Sequence, residues 1–161
     1  MATYMYEDAV KLPVALFVVE LLTTVARHEH ENRQLFEFVD ASIDVLELDG
    51  EHTANFHLVF MTMLTRLVGI APDEETYAAG SWLDLREGCF TLLRPAHQDV
   101  AQPEVARRIA LFLRGGFEGV AMPMNRDERN CCLDALMDYY RLHLPSFPEL
   151  KSVAILRQLF Q

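Results

Sequence analysis

Helical periodicity constrains this 161-residue chain more than any other feature of its sequence. Between positions 12 and 26, apolar residues recur at three- and four-residue spacing in one broad stripe, which predicts a well-buried amphipathic helix. Pro13 suits the first turn of that helix, where a missing N–H costs little. A second helix is predicted over 32–48, with six residues facing the core: Leu35, Phe36, Phe38, Val39, Ile43 and Leu46.

A third predicted helix follows Thr53 and ends at Gly69, because Gly69 suits the helix terminus and Pro72 prevents continuation. The periodicity then breaks, which predicts an irregular insert at residues 71–101. Within it, 82–86 and 89–92 flank a Glu87-Gly88 turn pair, a pattern that favours a β-hairpin.

Three more helices are predicted after the insert. Pro103 suits the first turn of the fourth, which ends at Gly115-Gly116. Asn125, with Glu128 three residues later, forms the amide version of a capping box for a fifth helix to about 142, and 149–160 is the sixth. The chain is therefore predicted to be mostly α: a single-domain orthogonal bundle of about six helices, spanning 1–161, with one irregular insert.

Charge and composition exclude several classes of protein. The formal net charge of −10 repels phosphate backbones, so the chain as a whole is a poor general binder of nucleic acid. Three cysteines make no disulfide framework and fit a reducing compartment. No apolar run reaches the ~20 residues of a membrane span. We therefore expect a soluble, cytoplasmic protein without a membrane partner.

Sequence motifs for catalysis are missing. No nucleophile elbow, phosphate loop or dinucleotide fingerprint is found. His28 and His30 point apart on a helix, and no histidine follows a glutamate at the spacing of di-iron bundles. We expect no enzyme activity, catalytic residue, metal or cofactor. The alternative left open is a stand-alone helical protein with a metal-dependent or thiol activity, using Asp49, His52, His57 and Cys131.

Two charged groups are candidates for binding. Four carboxylates form one stripe on the second helix, either a solvated face or a site for a cation or basic partner: Glu37, Asp40, Asp44 and Glu47. Arginine beside exposed aromatic residues suits an acidic, aromatic-ended peptide, since guanidinium pairs a carboxylate bidentately. The fourth helix and the loop after it offer such a set, unless these are ordinary surface residues: Arg107, Arg108, Arg114, Phe112 and Phe117.

The order of several segments resembles the C-terminal region of the RecO family, bacterial mediators of DNA repair and recombination, and most of all its Bacteroidetes-type members. These segments are LFEF at 35–38, ANFHLVF at 54–60, LVGIAP at 67–72, LDLREGCF at 83–90 and YYRLHLPSF at 139–147. Their succession, rather than any single motif, carries the resemblance.

The resemblance implies a non-enzymatic, nucleoid-associated protein. Family members join an N-terminal OB-fold, which this chain is expected to lack, to a helical domain. They bind DNA mainly through the OB-fold and work with RecR and the acidic C-terminal tail of single-stranded-DNA-binding protein. Together these partners load RecA and anneal strands.

The sequence departs from the family pattern in two places. Many members carry a four-cysteine zinc site in the insert, where this chain has only Cys89, so zinc is predicted to be absent. Apolar contacts must then hold the insert: Trp82, Leu83, Leu85 and Phe90.

Some members bind the tail of single-stranded-DNA-binding protein through arginines on the helix matching 55–67, where this chain offers only Arg66. Arg66 therefore joins the arginines and phenylalanines of the fourth-helix region as a candidate for tail binding.

Overall fold

The structure is a computed structural model that describes residues 2–26, 33–48 and 53–159. Over those residues it contains six α-helices: α1 (Ala2–Ala26), α2 (Arg33–Leu48), α3 (Phe56–Leu67), α4 (Pro103–Gly115), α5 (Arg126–His143) and α6 (Val153–Leu159). Between α3 and α4 lie three short strands: β1 (Trp82–Asp84), β2 (Cys89–Thr91) and β3 (Val100–Ala101). The prediction of a mostly helical chain with about six helices is confirmed.

Helix α3 lies at the centre of the fold, because α1, α2, α4 and α5 all contact it. Its side chains are buried from Phe56 to Met61 on every side of the helix. A helix that is apolar on all sides must be covered on all sides to remove that surface from water. The polar residue Thr62 is accommodated because its hydroxyl donates to the Leu58 carbonyl at 2.8 Å.

The predicted helix boundaries hold where a local stop or cap marks them. Gly69 follows α3 with a φ of 80°, a conformation that favours glycine. At the start of α5, the Asn125 side chain accepts from the Glu128 N–H at 2.8 Å, and the Glu128 carboxylate accepts from the Asn125 N–H at 3.1 Å. The predicted capping box is therefore present.

The predicted boundaries are wrong at the two ends of the chain. α1 begins at Ala2 rather than near Leu12, so Pro13 lies inside the helix. The helix therefore extends N-terminal to the apolar stripe that predicts it. α6 begins at Val153 rather than Glu149, after a turn at 151–152. The predicted end at Phe160, the polar segment 27–31 and the Asp49-Gly50 turn lie outside the described residues.

The prediction for α2 is wrong for two of its core residues. Phe36 is 73% exposed and Ile43 is 45% exposed, whereas Leu46 is buried. Leu35 and Phe38, which were also predicted to face the core, are partly buried against it. α2 covers α3 with a narrower stripe than its apolar pattern suggests, which leaves an apolar surface open.

The predicted hairpin in the insert is confirmed. β1 pairs antiparallel with β2, and it also pairs with β3, a strand that the sequence did not indicate. The Asp84 carboxylate organises the turn, accepting from the Arg86 and Glu87 N–H groups at 3.0 and 3.1 Å and meeting His97 Nε2 at 2.9 Å. Gly88 is required there, since its φ is 69° and a Cβ would lie 3.0 Å from the Tyr139 hydroxyl.

Apolar contacts hold the insert to the bundle, as expected. Leu83, Leu85 and Phe90 are each less than 5% exposed. Trp82 is only partly buried, and the Arg94 guanidinium lies 5.1 Å from its ring centroid. No helix within the described ranges is long and apolar enough to cross a membrane.

A carboxylate on α1 joins the two ends of the chain. Glu20 accepts from the backbone N–H groups of Lys151 and Ser152 at 3.1 and 3.0 Å, and from the Ser152 hydroxyl at 2.7 Å. Burial acts to raise the pKa of Glu20, but these hydrogen bonds and the Lys151 charge outweigh it and lower the pKa.

We expect Glu20→Gln to lower the free energy of unfolding by about 1 kcal/mol at neutral pH, because the carboxylate accepts charge-assisted bonds that the amide accepts more weakly. A group with a lowered pKa stabilises the fold above its unfolded pKa and loses that effect as the pH falls through its folded pKa. The difference between the proteins should therefore shrink in acid. Urea unfolding at about pH 7 and pH 3.5 measures this difference in the free energy of unfolding. The control is Glu118→Gln, at an exposed position.

Candidate functional site

Two of the predicted binding residues, Arg66 and Arg114, border the same groove. The groove has a volume of about 340 Å³ and lies where the ends of α3 and α4 meet α2. Its lining combines the two arginines with an apolar surface: Phe38, Met63, Arg66, Leu67, Leu113, Arg114, Gly115 and Gly116. We call this the arginine groove.

The sequence places each arginine in the last turn of its helix, Arg66 on α3 and Arg114 on α4. Cations are favoured at that end of a helix, where the unpaired carbonyls carry partial negative charge. The tertiary fold brings the two helix ends together, so that positive charges from distant parts of the sequence meet at the arginine groove.

Glu74 is the residue that both arginines contact. Arg66 Nη2 lies 2.8 Å from Glu74 Oε1, and Arg114 Nη2 donates to the Glu74 carbonyl at 3.3 Å. The Arg114 guanidinium also lies 5.3 Å from the centre of the Tyr77 ring. The Arg66 side chain is 47% exposed, so a ligand carboxylate can approach it from solvent.

Stacked aromatic rings form the wall behind the groove. Phe38 stacks on Phe60 at 5.1 Å and on Phe117 at 6.1 Å, and Phe117 stacks on Phe56 at 5.8 Å. Such ring pairs add about 0.5–1.5 kcal/mol each beyond their buried area. Phe117, a predicted site residue, is therefore part of this aromatic wall, with Phe38 on the groove side.

A glycine at the end of α4 forms part of the groove lining. Gly116 has a φ of 57°, and a Cβ on it would lie 3.3 Å from Met63 Cε. The chain can turn out of α4 at this point because glycine tolerates that backbone conformation.

The remaining predicted residues lie away from the groove lining. Phe112 is 0% exposed, so the expectation of an exposed aromatic residue is wrong at this position. Arg108 is only 8% exposed and pairs with Glu128 at 3.3 Å. Arg107 is exposed and contacts Glu104 at 3.5 Å. A step of one residue turns a helix by about 100°, which separates the buried Arg108 from the exposed Arg107.

The residues of the alternative hypothesis form no site in the described part of the chain. Burial, with a smaller contribution from Arg129, lowers the pKa of His57 to about 3, so the ring is neutral at physiological pH. Cys131 is exposed on α5, and Asp49 and His52 lie outside the described ranges. No group of three potential metal ligands comes together among the residues that the structure describes.

Sequence reasoning missed Phe38, Glu74 and Tyr77 as members of the site. The helical pattern indicates only a core position for Phe38, and Glu74 lies 40 residues from Arg114 along the chain. The one local signal was the eight-residue separation of Arg66 and Glu74 across the turn at Gly69.

Comparison with known proteins identifies the family. A profile described as "Recombination protein O C terminal" matches residues 6–153. The chain is 42% identical over 154 residues to the DNA repair protein RecO of Phocaeicola vulgatus and 42% identical over 155 residues to that of Bacteroides fragilis. Identity to the Porphyromonas gingivalis protein is 40% over 159 residues. Each match covers 95% of this chain.

The chain therefore belongs to the RecO family, and the resemblance found in its sequence is confirmed. It spans 64% of the length of these relatives. No solved structure gives a significant match.

We expect Arg108→Met to lower the free energy of unfolding by about 1–2 kcal/mol, since it leaves Glu128 of the capping box without its cation. Arg107→Met, one position away on the exposed face, is the matched control and should change it by less than about 0.5 kcal/mol. Urea unfolding of the two variants tests the distinction, and equal losses would contradict a structural role for Arg108.

Proposed function

We propose that this chain is the helical interaction domain of a RecO-type recombination mediator, acting in DNA repair and homologous recombination in the cytoplasm, at the nucleoid. The family match and the relatives named DNA repair protein RecO support this proposal. In this role, the chain works with RecR to load RecA and to anneal strands. DNA is held mainly by an OB-fold in the rest of the protein, which accords with the net charge of −10 on this part.

The domain acts by binding and has no catalytic activity or cofactor in this proposal. The shape of the arginine groove supports that role, because it pairs charge with an apolar floor but presents no nucleophile and base in its lining. A groove of this kind suits recognition of a short peptide rather than bond cleavage.

The acidic tail of single-stranded-DNA-binding protein is the proposed ligand of the arginine groove. Arg66 and Arg114 would pair with tail carboxylates, and the aromatic end of the tail would lie against Met63 and Phe38. The observation that carries this assignment is that two helix C-termini bring both arginines to one apolar groove. Glu74 pairs with Arg66, so the tail competes with an internal carboxylate for that guanidinium.

Fluorescence polarisation of a labelled tail peptide tests this proposal. Saturable binding is expected, and it should be lost in a control peptide that lacks the last two residues. Arg66→Ala and Arg114→Ala should each weaken binding about tenfold, the worth of a hydrogen bond between charged groups. Glu74→Gln should instead tighten binding roughly threefold by releasing Arg66 from a competing carboxylate.

Arg107→Ala is the matched control for Arg114→Ala. Arg107 is also an exposed arginine of α4, but it lies outside the groove lining. If Arg107→Ala weakens binding as much as Arg114→Ala does, the loss reflects the general charge of the protein. That result would contradict the proposed site. A Glu74→Gln variant that binds more weakly would contradict the competition between Glu74 and the tail.

A further inference from the structure

A second groove, between α1 and α2, is not used by the proposed function. It has a volume of about 570 Å³ and is lined mainly by aliphatic side chains. Ala15, Val19 and Leu22 contribute from α1, and Val39 and Ile43 contribute from α2. We call this the α1–α2 groove.

Much of this apolar lining is open to solvent, and Leu16 adds to it. Leu12, Leu16 and Val19 on α1 are each more than half exposed, and Ile43 on α2 is 45% exposed. Scattered apolar residues are ordinary on a protein surface, but a contiguous apolar patch beside a groove is typical of an interaction site.

Next to the groove, the exposed side of α2 is strongly acidic, and Glu47 on this side also lines the groove. Glu37, Asp40, Asp44 and Glu47 are all exposed on α2, and they follow one another at steps of three and four residues. Arg33 pairs with Glu37 at 3.3 Å at one end of this row. At the other end, the Lys11 ammonium donates to the Glu47 carbonyl at 2.8 Å. Four carboxylates against these two cations leave the row with an excess of negative charge beside an apolar surface.

We infer that the α1–α2 groove binds an amphipathic helix of a partner protein, with the apolar stripe of that helix in the groove and its flanking basic residues against the acidic row of α2. The row from Glu37 to Glu47 covers about 15 Å at the rise of an α-helix. A partner helix of about three turns can therefore match it with lysine or arginine at three- and four-residue spacing.

Charge complementarity selects this occupant over a second copy of the chain. Two copies that met through this groove would bring two acidic rows together, and each copy carries a net charge of −10. Like charges at an interface oppose association, whereas a basic helix both removes the apolar surface from water and neutralises the row.

Synthetic helices are the probes that test the inference. The first is an 18-residue peptide with leucine on one face and lysine flanking it, and the second replaces every lysine with glutamate. In a polarisation assay with the 161-residue chain, the lysine peptide should bind at least tenfold more tightly. This preference should fall as the salt concentration rises, because exposed charges are screened.

Two variants locate the binding surface. Val19→Glu places a charge on the apolar side of the groove and should weaken binding of the lysine peptide at least tenfold. Its matched control is Leu93→Glu, the same type of change at a residue that is 81% exposed in the insert. Since Val19 is 59% exposed, both variants should keep the fold, which circular dichroism and thermal unfolding verify.

The acidic row is tested separately by the double change Asp40→Lys and Asp44→Lys. The row then carries two acids and two bases, so the preference for the lysine peptide should be lost. The matched control reverses two exposed acids elsewhere, Glu75→Lys and Glu149→Lys, and should leave the preference for the lysine peptide in place. Arg66→Ala should not alter the binding of either peptide, which separates this inference from the proposed tail site.

Several outcomes would overturn the inference. Equal affinity for the two peptides, or unchanged binding in Val19→Glu, would show that the groove does not select a basic helix. A dimer in sedimentation that Val19→Glu dissociates would assign the groove to a second copy. Binding by this chain that a full-length relative does not share would show that another segment covers the groove in the relative.

Discussion

Burial of α3 is the constraint on which the rest of the fold depends. Its side chains from Phe56 to Met61 are covered on all sides, so other helices must surround it. Polar contacts orient some of these neighbours: the Tyr140 hydroxyl of α5 donates to the Met61 carbonyl at 2.6 Å, and the Asn55 amide donates to the Met122 carbonyl at 2.6 Å. Arg66, near the end of α3, emerges where the helix leaves the core, and this places a charge at the edge of an apolar groove.

Helix α2 separates the two grooves. Phe38 lines the arginine groove, and its neighbour Val39 lines the α1–α2 groove, because consecutive residues of a helix point in directions about 100° apart. The same helix carries the acidic row on its exposed side. A single element thus presents one surface suited to an acidic peptide and another suited to a basic helix, and the sign of the local charge distinguishes the two ligands.

Much of the fold was predictable because its signals are local. The Asn125–Glu128 capping box, the Gly69 stop and the Gly88 turn each depend on hydrogen bonds or backbone angles within a few residues. The candidate site was less predictable. Arg66 and Arg114 were recognised as candidates, but Phe112 and Arg108 on the same helix proved to be buried, since helix periodicity alone does not state how wide the covered face is.

The sequence by itself determined where most helices start and stop, that the insert forms a hairpin, and which family the chain belongs to. Only the tertiary structure decided which arginines face solvent, that Glu74 lies between two of them, and that Glu20 of α1 holds the turn before α6, more than 130 residues away. The physical reason is one of range. Backbone hydrogen bonding and capping act over about four residues, whereas burial and charge pairing depend on which distant elements pack together.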